Sequence, residues 1–135
     1  MSLFKVAEKF KKTFYGMYRE DVEVGCNIFY DHNGLYLGDF VEGDKEAVYL
    51  PENPYTIGSF HTHVDTNVCS WGFSNGDVST GVKRKERYMF LLVDDDLYGV
   101  DMRQFAPAIE RYKKKKFSIQ RLTRQVNRNK VFFDL

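Results

Sequence analysis

Apolar positions recur with a helical period near both ends of the chain and with shorter, strand-like runs between them. Near the N-terminus they fall three or four residues apart among lysines: Leu3, Ala7, Phe10 and Phe14. This spacing predicts an amphipathic helix that ends near Gly16. Residues 108–130 beyond Pro107 show a second helical pattern, basic on its outer side, with Ile119, Leu122 and Val126 on one face.

The middle of the chain is rich in β-branched and aromatic runs. Residues 22–30 and 35–41 flank a separator that contains Asn33-Gly34, the strongest short hairpin signal. Further strands are predicted at 47–50, 55–63, 87–94 and 97–102.

A helix is also predicted to begin at Ser74, because Asp77 three residues later completes a form of capping box, and to run toward Arg84. The sum predicts an α+β fold with a mixed, mainly antiparallel sheet sandwiched by helices. The length of 135 residues suits a single domain, 1–135, with a basic helical C-terminal extension from about 107.

The near-neutral charge of +1 hides an asymmetry along the chain. Residues 1–102 carry 10 Lys/Arg against 17 Asp/Glu, whereas residues 103–135 carry 10 against 2. A basic helix face is solvated more often than it binds a partner, so nucleic-acid contact through residues 111–130 is the weaker interpretation of this tail.

Features that the sequence lacks indicate where the protein is located and whether its cysteines form disulfides. No stretch approaches the roughly 20 apolar residues of a membrane span, and lysines interrupt residues 1–14 where a signal peptide would have an apolar core. We therefore expect a cytoplasmic protein without a membrane partner. Cys26 and Cys69 do not form a disulfide framework, although one bridge remains open.

The residues with the clearest chemistry are two of the three histidines. His61 and His63 lie two apart on a predicted strand, so both side chains point to the same face. Two imidazoles and one carboxylate form a common catalytic zinc site that keeps a position for water. Asp77, in the first turn of the predicted helix, is the candidate third ligand. Alone, His-x-His is more often two ordinary polar strand positions.

Together with their neighbours, these residues resemble the motif of the JAMM or MPN+ metallopeptidases, which is an upstream Glu, then His-Ser/Thr-His, then Ser-x-x-Asp. The matching segments are Glu23, residues 61–63 (HTH) and residues 74–77 (SNGD). The order of predicted elements is also similar, so the resemblance spans roughly residues 3–103. It implies the cytidine deaminase-like JAMM/MPN architecture, and the short chain is nearer to the prokaryotic or viral type.

The resemblance also implies roles. His61, His63 and Asp77 would bind Zn²⁺, Glu23 would move the proton of the reacting water, and Ser74 would donate to the oxyanion. Ser74 could equally cap the helix that carries Asp77. Other glutamates precede the histidines as well: Glu20, Glu42 and Glu46. Glu23 is preferred because it enters an apolar strand, and a solvated strand-end Glu is the structural alternative.

The chain departs from the family pattern in two places. Val64 stands where family members usually have Pro, and ten residues separate His63 from Ser74 where seven are usual. A longer loop costs little closure entropy, so the ligands can still converge. In that loop, Cys69 is a possible ligand or redox group and Trp71 a possible substrate contact, although each more often has no such role.

Rival His-x-His families fit less well. Metallo-β-lactamases and cupins need further downstream histidines, and amidohydrolases need a barrel of about 250 residues. The alternative to an enzyme is a catalytically inactive MPN-like scaffold or protein-binding module. For the enzyme, the motif suggests cleavage of a peptide or isopeptide bond at the C-terminal tail of a ubiquitin-like or sulfur-carrier-like protein. The tail would pair as an added strand beside the His-x-His edge.

Overall fold

A computed structural model of the protein describes residues 2–17, 21–45, 47–64 and 72–135. Within these ranges the fold is α+β. The helices are α1 (Leu3–Met17), α2 (Asn75–Lys83), α3 (Ala106–Lys113) and α4 (Ile119–Arg128), and a short 3-10 helix, Met102–Phe105, precedes α3. The strands are β1 (Val24–Asp31), β2 (Gly34–Leu37), β3 (Val41–Glu42), β4 (Thr56–Thr62), β5 (Tyr88–Val93), β6 (Asp96–Asp101) and β7 (Val131–Phe133).

The seven strands form one mixed sheet in the order β2-β1-β4-β5-β6-β7, with β3 also paired to β1. Only β4 and β5 are parallel among these pairs; the rest are antiparallel. β4, which carries the histidine motif, thus lies between β1 and β5. The predicted pairing of a substrate tail with this strand is therefore wrong, because both of its edges are already hydrogen-bonded.

Two hydrophobic clusters use alternate residues of the same strands. On β5, Phe90 and Leu92 belong to the cluster that includes α1, whereas Met89, Leu91 and Val93 belong to the cluster that includes α2 and α4. Successive strand side chains point to opposite faces, so the two clusters lie on opposite faces of the sheet. β5 is accordingly buried on both faces, as its continuous apolar run suggests.

Three local predictions are confirmed. α1 buries the predicted apolar positions Ala7, Phe10 and Phe14. The β1–β2 hairpin forms as predicted, although its two-residue loop is His32-Asn33 and Gly34 supplies the positive φ of 102° just after it. A third confirmed feature is the capping box at the start of α2, described below.

Three predicted elements need correction, the first being the strand at 35–41, which divides into β2 and β3 with residues 38–40 in neither. Residues 47–50 form no strand. The neighbouring edge of β1 is already paired with β2 and β3, and the Leu50 carbonyl accepts a hydrogen bond from the Arg84 side chain instead. Residues 108–130 are not one helix. α3 ends where Lys115 adopts a φ of 60°, and the Ser118 side chain, which accepts from the Arg121 N–H, starts α4 afresh.

The C-terminal segment packs onto the rest of the fold. Leu122 and Val126 of α4 are fully buried in the second cluster, and β7 pairs with β6 of its own sheet. Cys26 is a buried free thiol, whereas Cys69 lies outside the described residues. None of the helices in the described ranges combines the length and apolar character that a bilayer crossing requires.

Candidate metal centre

Strand alternation collects polar side chains on one face of the sheet. On β1 and β4, Val24, Cys26 and Phe60 join the first cluster. Alternate residues therefore point the other way, toward α2: Glu23, Asn27, Ser59, His61 and His63. Because Gly25 pairs with His61 across the two strands, continuing the antiparallel register by two residues places Glu23 opposite His63. The sheet thus sets Glu23 beside both histidines.

α2 supplies the third predicted ligand. The Asp77 Oδ2 atom lies 3.0 Å from His63 Nε2 and 3.2 Å from His61 Nε2. One ligand atom from each residue fits within a group whose members are all within 4.8 Å of one another. The structure therefore brings together His61, His63 and Asp77 at metal-binding distance.

The donor set fits a metal ion. In a tetrahedral site with bonds of about 2.0–2.1 Å to nitrogen and oxygen, ligand atoms lie about 3.3 Å apart. The two distances to Asp77 are close to that value. His61 Nε2 is also buried without a well-aligned hydrogen bond from or to any described residue, which suits a nitrogen lone pair directed at a cation.

Electrostatics hold the three groups together even without a metal. Burial opposes ionisation of Asp77, yet the neighbouring His61 and His63 keep its pKa well below the usual range. Burial alone would lower the pKa of His61, but attraction to the Asp77 carboxylate outweighs it and raises that pKa. A bound cation would replace the proton on the imidazole, so we expect metal affinity to fall in acid.

The helix start fixes the Asp77 carboxylate. Ser74 Oγ accepts a hydrogen bond from the Asp77 N–H at 3.0 Å, and the Ser74 N–H donates to Asp77 Oδ2 at 2.8 Å. This capping box holds the rotamer that faces the histidines. α2 also sits close on β5, because a side chain at Gly81 would meet Met89 Sδ at 2.5 Å. Close packing at Gly81 brings the helix, and Asp77 with it, onto the sheet.

Glu23 is buried beside the three candidate ligands, and one oxygen of its carboxylate is unsatisfied among the described residues. Its N–H donates to the Asp44 carbonyl and its carbonyl accepts from the Gly43 N–H, both at 2.7 Å, which fixes its backbone. Only 3 % of the residue is exposed, and Oε2 has no hydrogen-bond partner among the described residues. Burial raises the pKa of Glu23, although attraction to His61 and His63 partly opposes the rise.

This environment predicts that Glu23→Gln stabilises the metal-free protein. A carboxyl whose folded pKa exceeds its unfolded pKa opposes folding once the pH is above the unfolded value. We expect a gain of about 1 kcal/mol in the free energy of unfolding at pH 8 that disappears near pH 4. Urea unfolding in chelator at both pH values measures it. The exposed Glu42→Gln is the control, and a less stable Glu23→Gln at pH 8 would contradict the prediction.

Four of the five predicted site residues, Glu23, His61, Ser74 and Asp77, line one cleft of about 470 Å³, whereas His63 lines a separate pocket together with Thr62 and Leu92. The volume of the cleft falls in the range of small-molecule and peptide-residue sites. One wall is α2 and the other is the segment 47–52, called the strap here. Ser74 keeps its hydroxyl proton available, because its oxygen acts as acceptor in the capping box.

A buried polar network at the far end of the cleft was missed by the sequence analysis. Arg84 donates to the Leu50 carbonyl at 2.8 Å and to Asn27 Oδ1 at 2.6 Å, and its Nε lies 3.1 Å from Glu86 Oε2. Ser59 donates to the other oxygen of Glu86. Burial raises the pKa of Glu86, with Ser59 and Arg84 opposing the rise. Arg84 therefore ties the strap to the sheet and fixes the cleft's width.

Asn127 of α4 was also missed. Its Oδ1 accepts from the Phe73 N–H at 2.8 Å and its Nδ2 donates to the Phe73 carbonyl at 3.0 Å. Phe73 directly precedes Ser74, and its ring centroid lies 6.1 Å from that of His61. The C-terminal helix thus clamps the residue from which the Asp77 helix begins.

We expect Asn127→Ala to weaken metal binding although it touches no ligand. Loss of both hydrogen bonds frees the start of α2, and outer groups of this kind change metal affinity by 10- to 100-fold. We expect about a tenfold rise in the Kd for Zn²⁺, measured by competition with a chelating dye. Asn127→Asp keeps the hydrogen-bond acceptor and loses the donor, so its Kd for Zn²⁺ should lie between those of the parent and Asn127→Ala.

The matched control for Asn127 is Gln120→Ala, an exposed position on the same helix. A merely structural role would lower the unfolding midpoint of metal-free Asn127→Ala without changing its Kd for Zn²⁺. That result would show that Asn127 does not support metal binding.

Four residues considered in the sequence analysis lie outside the described ranges: Glu20, Glu46, Cys69 and Trp71. Glu42 is exposed on β3, away from the cleft lining. The ten-residue interval between His63 and Ser74 does not prevent Asp77 from reaching both histidines.

Comparisons with protein-family models, with curated proteins and with solved structures find no match. Function at this centre is therefore inferred from its geometry and chemistry.

Proposed function

We propose that the protein is a zinc-dependent hydrolase of the JAMM/MPN+ type that cleaves a peptide or isopeptide bond. One observation carries the proposal: two imidazole nitrogens and the Asp77 carboxylate converge beside the buried carboxylate of Glu23, whose Oε2 accepts no hydrogen bond from any described residue. The two clusters, one around α1 and the other around α2 and α4, also support the helix-covered sheet that the resemblance implies.

His61, His63 and Asp77 would hold the ion. Zinc bound by such a donor set lowers the pKa of a water to about 7 and polarises a carbonyl. Glu23 accepts the proton of the attacking water and returns a proton to the leaving amine, so that one peptide bond and one water become a carboxylate and an amine. Its raised pKa suits this task, because a base works best when its pKa is near the working pH.

Ser74 would stabilise the negative charge that develops on the carbonyl oxygen. Its hydroxyl oxygen accepts from the Asp77 N–H, which leaves the O–H to donate toward the cleft. One residue can therefore cap the helix and serve the reaction at the same time. The oxyanion role fits the cleft position of Ser74.

The substrate we propose is the extended C-terminal tail of a ubiquitin-like or sulfur-carrier-like protein. Because β4 is an interior strand, the tail would enter the cleft between the strap and α2. The strap offers Tyr49, 87 % exposed, at the rim, and apolar side chains from Val48 and Leu50 below it. An extended tail fits this narrow opening better than a folded domain does.

The test is cleavage of modifier fusions by the zinc-loaded protein, followed by mass spectrometry of both products. We expect cleavage after the modifier's last residue, for a peptide-linked or a lysine-linked extension, and cleavage about 10³-fold slower by Glu23→Gln. Zinc retained at one ion per chain without cleavage of any fusion, at high enzyme concentration, would favour the scaffold or binding module. Cleavage by Glu23→Gln at the parent rate would contradict the role of Glu23 as the general base.

A further inference from the structure

The outer side of α4 carries a row of arginines that the proposed hydrolase does not use. Arg121, Arg124 and Arg128 are three and four residues apart, so they share one face of the helix, and all three are exposed. Leu122 and Val126 on the other side are fully buried. The helix therefore presents only its charged side to solvent.

These arginines have no carboxylate partners among the described residues. The ion pairs of the C-terminal segment join Lys113 to Glu110 and Arg103 to Asp101. Lys115 and Lys116 are exposed and border a shallow depression together with Arg121. We call Lys115, Lys116, Arg121, Arg124 and Arg128 the basic face. Its positive charge is uncompensated locally.

A membrane surface does not fit the basic face. A helix that lies in a lipid interface inserts its apolar side among the acyl chains. The apolar side of α4 is already buried against the second cluster through Leu122 and Val126. Exposing it would cost the core of the protein.

An ordinary protein interface fits poorly as well. Such interfaces depend on exposed aromatic or apolar anchors near their centre. Phe117, which borders the basic face, is half-buried, with the guanidinium carbons of Arg121 and Arg111 at 4.6 and 5.7 Å from its ring centroid. The face therefore offers charges and few anchors.

We propose that the basic face binds the phosphate backbone of nucleic acid, without reading sequence. Arginine forks match phosphate oxygens in a bidentate manner. Three arginines spread over about 10 Å of helix can meet successive phosphates of one strand. The first 102 residues carry a net negative charge, which repels nucleic acid. The surface that binds it is therefore on the positively charged C-terminal segment.

The experiment measures binding of the full chain to a fluorescent 20-base-pair DNA duplex and to a 20-nucleotide single strand between 50 and 200 mM KCl. The triple variant Arg121→Gln, Arg124→Gln, Arg128→Gln should raise the Kd at least tenfold at 100 mM. The slope of log K against log salt should become shallower by about 2 to 3, as expected for three lost phosphate contacts.

The matched control removes the same charge from α1, where Lys5, Lys9 and Lys12 are also exposed on one helix face. Their replacement by glutamine should change the Kd by less than threefold. An equal loss in both triple variants would mean attraction by net charge alone and would overturn the proposal.

Other outcomes also decide the question. No binding at 50 mM KCl overturns the proposal, as does tighter binding to anionic phosphatidylserine vesicles or equal competition by polyglutamate of the same charge. If the triple variant does not fold, Arg124→Gln alone should weaken binding about threefold and make the slope shallower by about 1. An unchanged slope in that variant would also overturn it.

Discussion

We expect Glu23→Gln to lower kcat on a modifier fusion about 10³-fold while zinc stays bound. Glu23 is not one of the three candidate ligands, His61, His63 and Asp77. Replacing it with glutamine therefore leaves the donors of the ion intact. The amide cannot take a proton from water, and loss of a positioned general base costs 10²- to 10⁴-fold. Steady-state kinetics on a cleavable modifier fusion, with zinc analysis of the same sample, measures both quantities.

The matched control for this loss is Glu42→Gln, which removes an exposed glutamate from β3. It should retain parent kcat and KM. A drop in zinc content parallel to the drop in kcat would show that Glu23 acts by holding the ion, and would contradict its assignment as the base.

Zinc should stabilise the fold strongly, and this effect should depend on Asp77. The native chain holds the three ligand atoms within 4.8 Å, whereas the unfolded chain does not hold them together. Binding to the native state alone adds about 4 kcal/mol to the free energy of unfolding when free zinc is 1,000 times the Kd. Chemical unfolding with and without zinc should show this gain in the parent and lose most of it in Asp77→Asn.

Asp96→Asn serves as the control, because Asp96 is an exposed aspartate on β6. It should keep the full zinc-dependent gain. Equal stabilisation of Asp77→Asn and the parent would place the ion elsewhere on the chain and remove the basis of the metal centre.

Much of the site follows from local rules. The two-residue period of a strand puts His61 and His63 on one face, and the Ser74–Asp77 capping box orients the carboxylate at a helix start. Glu23 was preferred because it enters an apolar strand, and the two-residue period then places it on the same face as Asn27, opposite the buried Val24. Each of these features depends on residues within four positions of one another.

The parts that were missed depend on contacts between distant residues. Asn127 meets Phe73 across 54 positions, and Arg84 meets Asn27 across 57. No local pattern marks an asparagine on a basic helix as a clamp for another helix. In the sequence, Glu86 close to Arg84 is typical of an exposed ion pair. Only the three-dimensional fold shows that Glu86 is buried.

The incorrect elements have a similar cause. Residues 47–50 have the composition of a strand, but neighbouring pairings occupy the edge of β1, and Arg84 and Asn27 bind the carbonyls of Leu50 and Pro51. The break between α3 and α4 depends on Lys115 adopting positive φ, which a non-glycine residue seldom does. Tertiary packing overrode local preference in both places.

The central claim is that two imidazoles and one aspartate bind a single divalent ion. Metal analysis of the purified, zinc-equilibrated chain beside His63→Ala and Asp77→Asn tests it most directly. One zinc per parent chain, with about a tenth or less in either variant, is the expected result. A parent without bound zinc, or a full equivalent retained by Asp77→Asn, would contradict the claim.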